Sequence, residues 1–302
     1  MTYDLIVIGA GIAGLTAANE GAKSGLQVCL LERLMFGGLV LNVNHLDPKP
    51  PSLPGSGSDA ASELMMTASD LGVTTVFSAA TALMTDGGLS VVTDAGPQIA
   101  HAVIIATGAH HRKLGVRGEV EFENRGVSHC ADCDAPMYRG QDVVVVGGGD
   151  SALQESLVLA EFCGQVHLVH RGKAFSARNE FVDKLRQCAN IRQHLDTVVE
   201  ALLGKVALER VAVRGPNKAT REISCTGFFA YVGLEPNSEF ISTQMERDEN
   251  GCIKVDGRLR TSIPDVYAIG AVRTGYGGEL REAQEDARMA VSEIARRLSA
   301  DG

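Results

Sequence analysis

Two cysteines two residues apart, Cys130 and Cys133, with Asp134 directly after them, are the side chains of this sequence best suited to redox chemistry. That spacing lets two thiols close a small disulfide ring and reopen it by exchange. The thiol of lower pKa attacks and its partner resolves the mixed disulfide. Shortly downstream, the valines 143–146 run into Gly147-Gly-Gly149-Asp150-Ser151-Ala152. An apolar strand feeding a glycine turn and then a helix is where a dinucleotide pyrophosphate sits. A dithiol beside a nucleotide site implies that electrons from a nicotinamide reach a disulfide.

A second glycine turn lies at the N-terminus. Asp4 to Gly14 reads as a buried parallel strand, then Gly9-x-Gly11-x-x-Gly14, then an alanine-rich helix. Gly9 makes the tight turn, Gly11 lets the backbone approach a pyrophosphate, and Gly14 lets helix and strand pack closely. The next strand, Gln27 to Glu32, ends in an acid placed to accept hydrogen bonds from an adenosine ribose. The corresponding strand of the second unit, Gln165 to Arg171, ends instead in His170-Arg171. A carboxylate repels a 2′-phosphate, whereas a guanidinium attracts one. Charge therefore assigns FAD to the first unit and a nicotinamide cofactor, NADPH or NADH, to the second.

These motifs need two α/β units to hold them. Residues 1–112 alternate helical and strand-like segments and close on the core strand His101 to Gly108. Residues 113–240 carry the dithiol and the second nucleotide unit, and residues 241–302 return to the first. The expected fold is α/β, with two Rossmann-like dinucleotide-binding domains, the second inserted into the first. A chain of 302 residues with 45% hydrophobic composition can fill two cores. One stretch, 47–58, is rich in Pro and Ser and reads as a loop.

Composition excludes other classes. A net charge of −9 argues against nucleic acid or an anionic membrane as partner. The seven cysteines are scattered (29, 130, 133, 163, 188, 225 and 252) and form no secreted disulfide framework. A zinc site at Cys130 and Cys133 would need a second Cys or His pair at ligand spacing, and only His129 is adjacent. With no signal-peptide pattern and no membrane-length apolar run, the expectation is a soluble cytoplasmic protein.

The ordered set of motifs resembles the low-molecular-weight thioredoxin reductase family. It comprises the N-terminal fingerprint, Ala106-Thr107-Gly108, Cys-x-x-Cys-Asp, the second glycine turn, His170-Arg171 and the terminal Thr261 to Gly270, and it runs from about Asp4 to Leu298. The resemblance implies FAD, NADPH, a homodimer, and a thioredoxin-like protein or small disulfide as substrate. It implies a second domain joined by two short crossovers that act as a hinge. It makes Cys133 the thiol facing the flavin, Cys130 the one attacking the partner, and Asp134 the acid that serves them. Taken alone, Asp134 also suits the start of any helix. By the same resemblance Gly37, Gly38, Thr107, Gly108 and Gly270 join the flavin site.

Departures from the family pattern bear on both cofactors. Gly172 and Ser176 stand where the family carries arginines, which weakens recognition of a 2′-phosphate; Lys173 and Arg178 are nearby cations. Leu39, Ala271 and Gly278-Glu279 stand where the family has Gln, Asp and Arg-Gln at the flavin. Two rivals follow: a dithiol oxidase handing electrons to oxygen, and a degenerate fold serving as a redox-sensing module. The retained nicotinamide motif opposes the first, and the intact Cys-x-x-Cys-Asp opposes the second.

Overall fold

The computed structural model describes residues 2–46, 49–240 and 245–301. The chain divides into two compact units, one of residues 1–110 and 235–302, the other of residues 111–234.

The first unit begins with β1 (Thr2–Ile8), α1 (Ile12–Lys23) and β2 (Val28–Glu32). Leu5, Ile6, Val7 and Ile8 are all buried. β1 lies between parallel neighbours, with Leu5 opposite Val28 of β2 on one side and Ala102 of a later strand on the other. A parallel strand covered on both faces needs no polar alternation, hence the unbroken apolar run. The unit continues through α2 (Gly57–Asp70), β3 (Thr74–Phe77), β4 (Ala80–Met84), β5 (Leu89–Thr93) and β6 (Gln98–Ile105). The sheet order is β3-β2-β1-β6-β5-β4. The loop expected over 47–58 ends early: the Ser56 hydroxyl caps α2, accepting from the Asp59 amide at 3.1 Å, so Gly57 and Ser58 are helical. A Ser followed by helix formers is a start signal that loop composition masked. Residues 47 and 48 of that stretch lie outside the described residues.

The chain leaves through β7 (Ala109–His111) and builds the second unit: β8 (Val127–Ser128), α3 (Ala131–Asp134), β9 (Asp142–Gly147), α4 (Asp150–Ala160), β10 (Gln165–Val169), α5 (Asn179–Gln187) and β11 (Ile191–His194). β12 (Val198–Gly204), β13 (Leu208–Arg214) and β14 (Thr220–Ser224) then form a small antiparallel sheet. β15 (Gly227–Tyr231), buried throughout, joins the parallel sheet in the order β11-β10-β9-β15-β8. β16 (Leu234–Pro236) pairs with β7, so the outgoing and returning strands are hydrogen-bonded to each other. β17 (Val266–Ala268) then adds to β6, and α6 (Leu280–Asp301) packs on α1. Among the described residues no helix is long and apolar enough to cross a membrane.

Candidate active site: a dithiol and two nucleotide cradles

Cys130 and Cys133 are joined as a disulfide, their Cα atoms 5.3 Å apart. β8 ends two residues before, and Cys130 caps α3, its Sγ accepting the Cys133 amide at 3.1 Å. An amide aimed at sulfur favours the anionic form of that sulfur. Cys133 is exposed, while Cys130 and Asp134 are half-buried. The neighbouring amide of Ala131 donates to the Tyr231 hydroxyl at 3.2 Å. Burial, reinforced by the charges of Glu155, Asp132 and Asp134, pushes the Tyr231 phenol far above its ordinary range, so it stays neutral. His129 is hydrogen-bonded to Glu123 at 2.8 Å and stacks on His111 with ring centroids 6.1 Å apart. Among the described residues no group of three or more His, Cys, Asp or Glu is arranged to hold a metal.

The first cradle is a cavity of about 470 Å³ in the first unit. Gly9, Gly11, Glu32, Gly37, Gly38, Thr107, Gly108 and Gly270 all line it, with Gly11 bridged to Gly37. Gly14 is set behind it: a Cβ there would sit 1.8 Å from the Gly9 carbonyl oxygen, so only glycine allows the turn to lie on α1. α1 starts at Gly11 with no side-chain cap and no acidic residue in its first turn. Its unpaired amides therefore suit a pyrophosphate, and the empty space around Gly11, whose nearest neighbour is the Gly37 carbonyl, leaves room for one. The Glu32 carboxylate accepts from the amides of Ala10 (2.9 Å) and Leu34 (3.0 Å), which fixes it at the end of β2. These residues fit FAD.

Where the resemblance expects an aspartate, Ala271 lines the cavity, and the loop around it is held by acids of α6. Asp286 of α6 accepts from the Gly270 amide at 2.9 Å and is bridged by two nitrogens of Arg273, at 2.6 and 2.8 Å. Glu282 accepts from the same Arg273 Nη2 that reaches Asp286, at 2.8 Å, and from the Gly277 amide at 2.7 Å. Asn237, which sequence reading missed, also lines the cavity. Its side chain donates to the Thr107 carbonyl at 2.8 Å and meets His110 at 2.7 Å, and the Thr107 hydroxyl donates back to its carbonyl. The pairing spans 130 positions, and no local pattern announces it.

The second cradle repeats the first. Gly147 ends β9 and Gly149 caps α4 without a side-chain bond, with open space where its Cβ would be. Uncapped amides and a bare glycine fit the pyrophosphate of a nicotinamide dinucleotide. Arg171 and Ser151 are exposed. Asp150 is turned to Arg178, accepting from its amide at 2.8 Å and its Nε at 2.7 Å. Desolvation opposes the charge there, but the Arg178 amide and guanidinium outweigh it and hold the Asp150 carboxyl below its usual range. Arg178 also pairs with Glu180 at 3.2 Å, so its charge is already matched. The imidazole of His170 occupies the space beside two glycines: Cβ atoms on Gly148 and Gly172 would fall 2.2 and 2.6 Å from its ring. Gly172 is thus also a spatial requirement of that ring. Ser176, the other replaced arginine, ties its hydroxyl to the Gly148 carbonyl at 3.1 Å.

Comparison with known proteins agrees with this geometry. The model of the pyridine nucleotide-disulphide oxidoreductase family matches residues 3–292. The thioredoxin reductase of Treponema pallidum is 33% identical over 296 residues, 97% of this chain and 96% of that protein. Among solved structures, thioredoxin reductase from Lactococcus lactis superposes with a TM-score of 0.93 at 33% identity, covering 99% of both chains. That from T. acidophilum gives 0.91 at 29% identity, also covering 99% of both. This chain, matched across nearly its whole length, belongs to the pyridine nucleotide-disulphide oxidoreductases, in the low-molecular-weight thioredoxin reductase family.

Proposed function

We propose that this protein is an NADPH-dependent thioredoxin reductase that reduces a thioredoxin-like protein through FAD and the Cys130–Cys133 disulfide. The observation that carries the reading is that disulfide, closed at the start of α3 in the same unit as the second nucleotide cradle. Bound to the first unit, FAD supplies the two-electron chemistry between nicotinamide and disulfide.

The residues divide the remaining work. Gly9, Gly11, Gly37, Gly38 and Gly270 would hold the flavin nucleotide by backbone approach, Glu32 would accept from its ribose, and Thr107 and Gly108 would complete the lining. Gly147, Gly149 and Ser151 hold the nicotinamide dinucleotide. Asp150 keeps the glycine turn on Arg178, and His170 fills the space behind it. Arg171 meets the 2′-phosphate. Reduction of the disulfide consumes two electrons and two protons. Cys130, whose sulfur receives the Cys133 amide, carries the thiolate that attacks the partner's disulfide, and Cys133 resolves the mixed disulfide. Asp134, one residue on, moves a proton to or from the sulfurs. We further place the protein in the cytoplasm as a homodimer.

With Arg178 matched by two acids and Ser176 engaged by the glycine turn, Arg171 and Lys173 are left for the 2′-phosphate. The preference for NADPH over NADH is therefore smaller than several forked donors give. The test is kcat/KM with each cofactor, using a thioredoxin disulfide as acceptor. Turnover with NADPH that requires the acceptor supports the reading. Oxygen uptake driven by a small dithiol, with no nicotinamide oxidation, would replace it with the oxidase.

A further inference from the structure

Against the dithiol helix lies a carboxyl group for which the reaction described so far has no use. Glu155 sits in the second turn of α4, which packs on α3. It is hydrogen-bonded to the backbone amide of Asp132, one of the two residues bridging Cys130 and Cys133. Its Oε2 is sealed from solvent with no hydrogen-bond partner among the described residues. From β15, the Tyr231 phenol feels the same charge while its hydroxyl holds the Ala131 amide. Both bridging amides are thus gripped from below, one by a neutral phenol and one by an ionisable carboxyl.

We propose that Glu155 is a positioning residue of the redox centre whose charge sets the thiolate fraction of the reduced Cys130–Cys133 pair. The inference rests on reading that pair as the redox centre. When the disulfide accepts two electrons the S–S bond breaks, and the two sulfur anions take two protons from solvent. A carboxylate held on the amide of the residue before Cys133 opposes a sulfur anion there, whereas a neutral carboxyl does not. Ionised Glu155 therefore favours the thiol, and protonated Glu155 permits the thiolate. Burial, then the neighbouring Asp132 charge, push its pKa up to about 7, which places the change of state in the working range. Of the elements packed on α4, α3 brings Asp132 and β15 brings Tyr231 to bear on it. On α5, Glu180 and Asp183 are instead paired with Arg178 and Arg186.

The test is the rate of iodoacetamide alkylation at Cys130 and Cys133, read by mass spectrometry between pH 5.5 and 8.5. The flavoprotein is first reduced with a phosphine and desalted anaerobically. Wild type should show an inflection near pH 7 in addition to that of the thiol. In Glu155→Gln, which keeps an oxygen for the Asp132 amide, the rate should match wild type at pH 5.5 and exceed it severalfold at pH 7.5–8, where about tenfold is the ceiling set by a one-unit thiol shift. Glu155→Asp should restore the wild-type inflection. A wild-type profile without it, a ratio constant across pH, or an inflection surviving in Glu155→Gln would each overturn the proposal. Phosphine reduction bypasses the nicotinamide. A failure of NADPH to reduce the disulfide would therefore refute the proposed function while this readout still judged Glu155.

Discussion

The second cradle makes a quantitative prediction about packing. The His170 ring lies where a Gly148 side chain would be: a Cβ would come within 2.2 Å of Cε1, 2.3 Å of Nδ1 and 2.7 Å of Nε2. Relieving that overlap means moving the ring by roughly 1 Å, since carbon contacts settle near 3.5 Å. The ring is not free to move. Its nitrogen meets the Ala174 carbonyl at 3.0 Å, and Phe175 packs 5.5 Å away. The glycine turn is equally tied, because the Gly148 carbonyl accepts the amides of Ser176 at 2.8 Å and Ala177 at 3.1 Å. Gly148→Ala is then an overpacking substitution costing about 1–3 kcal/mol. As the turn is displaced, NADPH affinity should fall by about tenfold or more, or roughly 1.4 kcal/mol. His170→Ala alone loses one hydrogen bond, about 1 kcal/mol. In the double mutant the added methyl enters space the ring has vacated, so the two costs should fail to add by about 1–2 kcal/mol. Urea unfolding gives the stability cycle, and calorimetric titration with NADPH gives the binding cycle. Additivity within about 0.5 kcal/mol in both would show that ring and turn do not compete for this space.

Three further outcomes follow. Cys130→Ser and Cys133→Ser should each abolish reduction of a thioredoxin disulfide while NADPH still bleaches the flavin, because exchange needs both sulfurs; full turnover by either would remove the dithiol from the reaction. Arg273→Met strands Asp286, 5% exposed, without its guanidinium and should cost about 3–5 kcal/mol of stability in urea, far more than an exposed ion pair. His194 is buried against His167 (3.0 Å) and Arg221 (2.7 Å), and burial followed by the Arg221 charge depresses its pKa to about 4. An unfolded histidine titrates near 6.5, so the unfolded chain binds the extra proton between those values. Stability should be fully present above pH 6.5 and fall by roughly 2–3 kcal/mol as pH drops toward 4. His194→Gln should flatten that dependence in urea unfolding.

What the sequence revealed and what it hid divide along the range of the interactions. The strand, glycine turn, helix, strand and Glu32 of the first unit are consecutive, so hydrophobic runs and glycine spacing expose them. The same holds for Cys130 and Cys133, whose chemistry is in their spacing. Hidden features depend on partners far along the chain. Glu155 looks like any polar position of an amphipathic helix until α3 covers it. Asn237 earns no notice without Thr107 and His110 beside it. His170 reads as a cofactor contact; its ring also lies against Gly148 and Gly172, a packing role for Gly172 that its spacing does not show. Ser176, read as a missing cation, holds the glycine turn. Charge and spacing identify the chemistry, and only the assembled sheet shows which groups are already spoken for.

The most direct test of the whole account is anaerobic stopped-flow spectroscopy of the purified flavoprotein. Mixing with NADPH should bleach the flavin absorbance, and a second mixing with an oxidised thioredoxin should restore it at a rate that accounts for steady-state turnover. Substituting Cys133→Ser should leave the first phase and eliminate the second. A flavin that NADPH does not bleach, or whose reoxidation by thioredoxin is unaffected by loss of Cys133, would contradict the path from nicotinamide to disulfide.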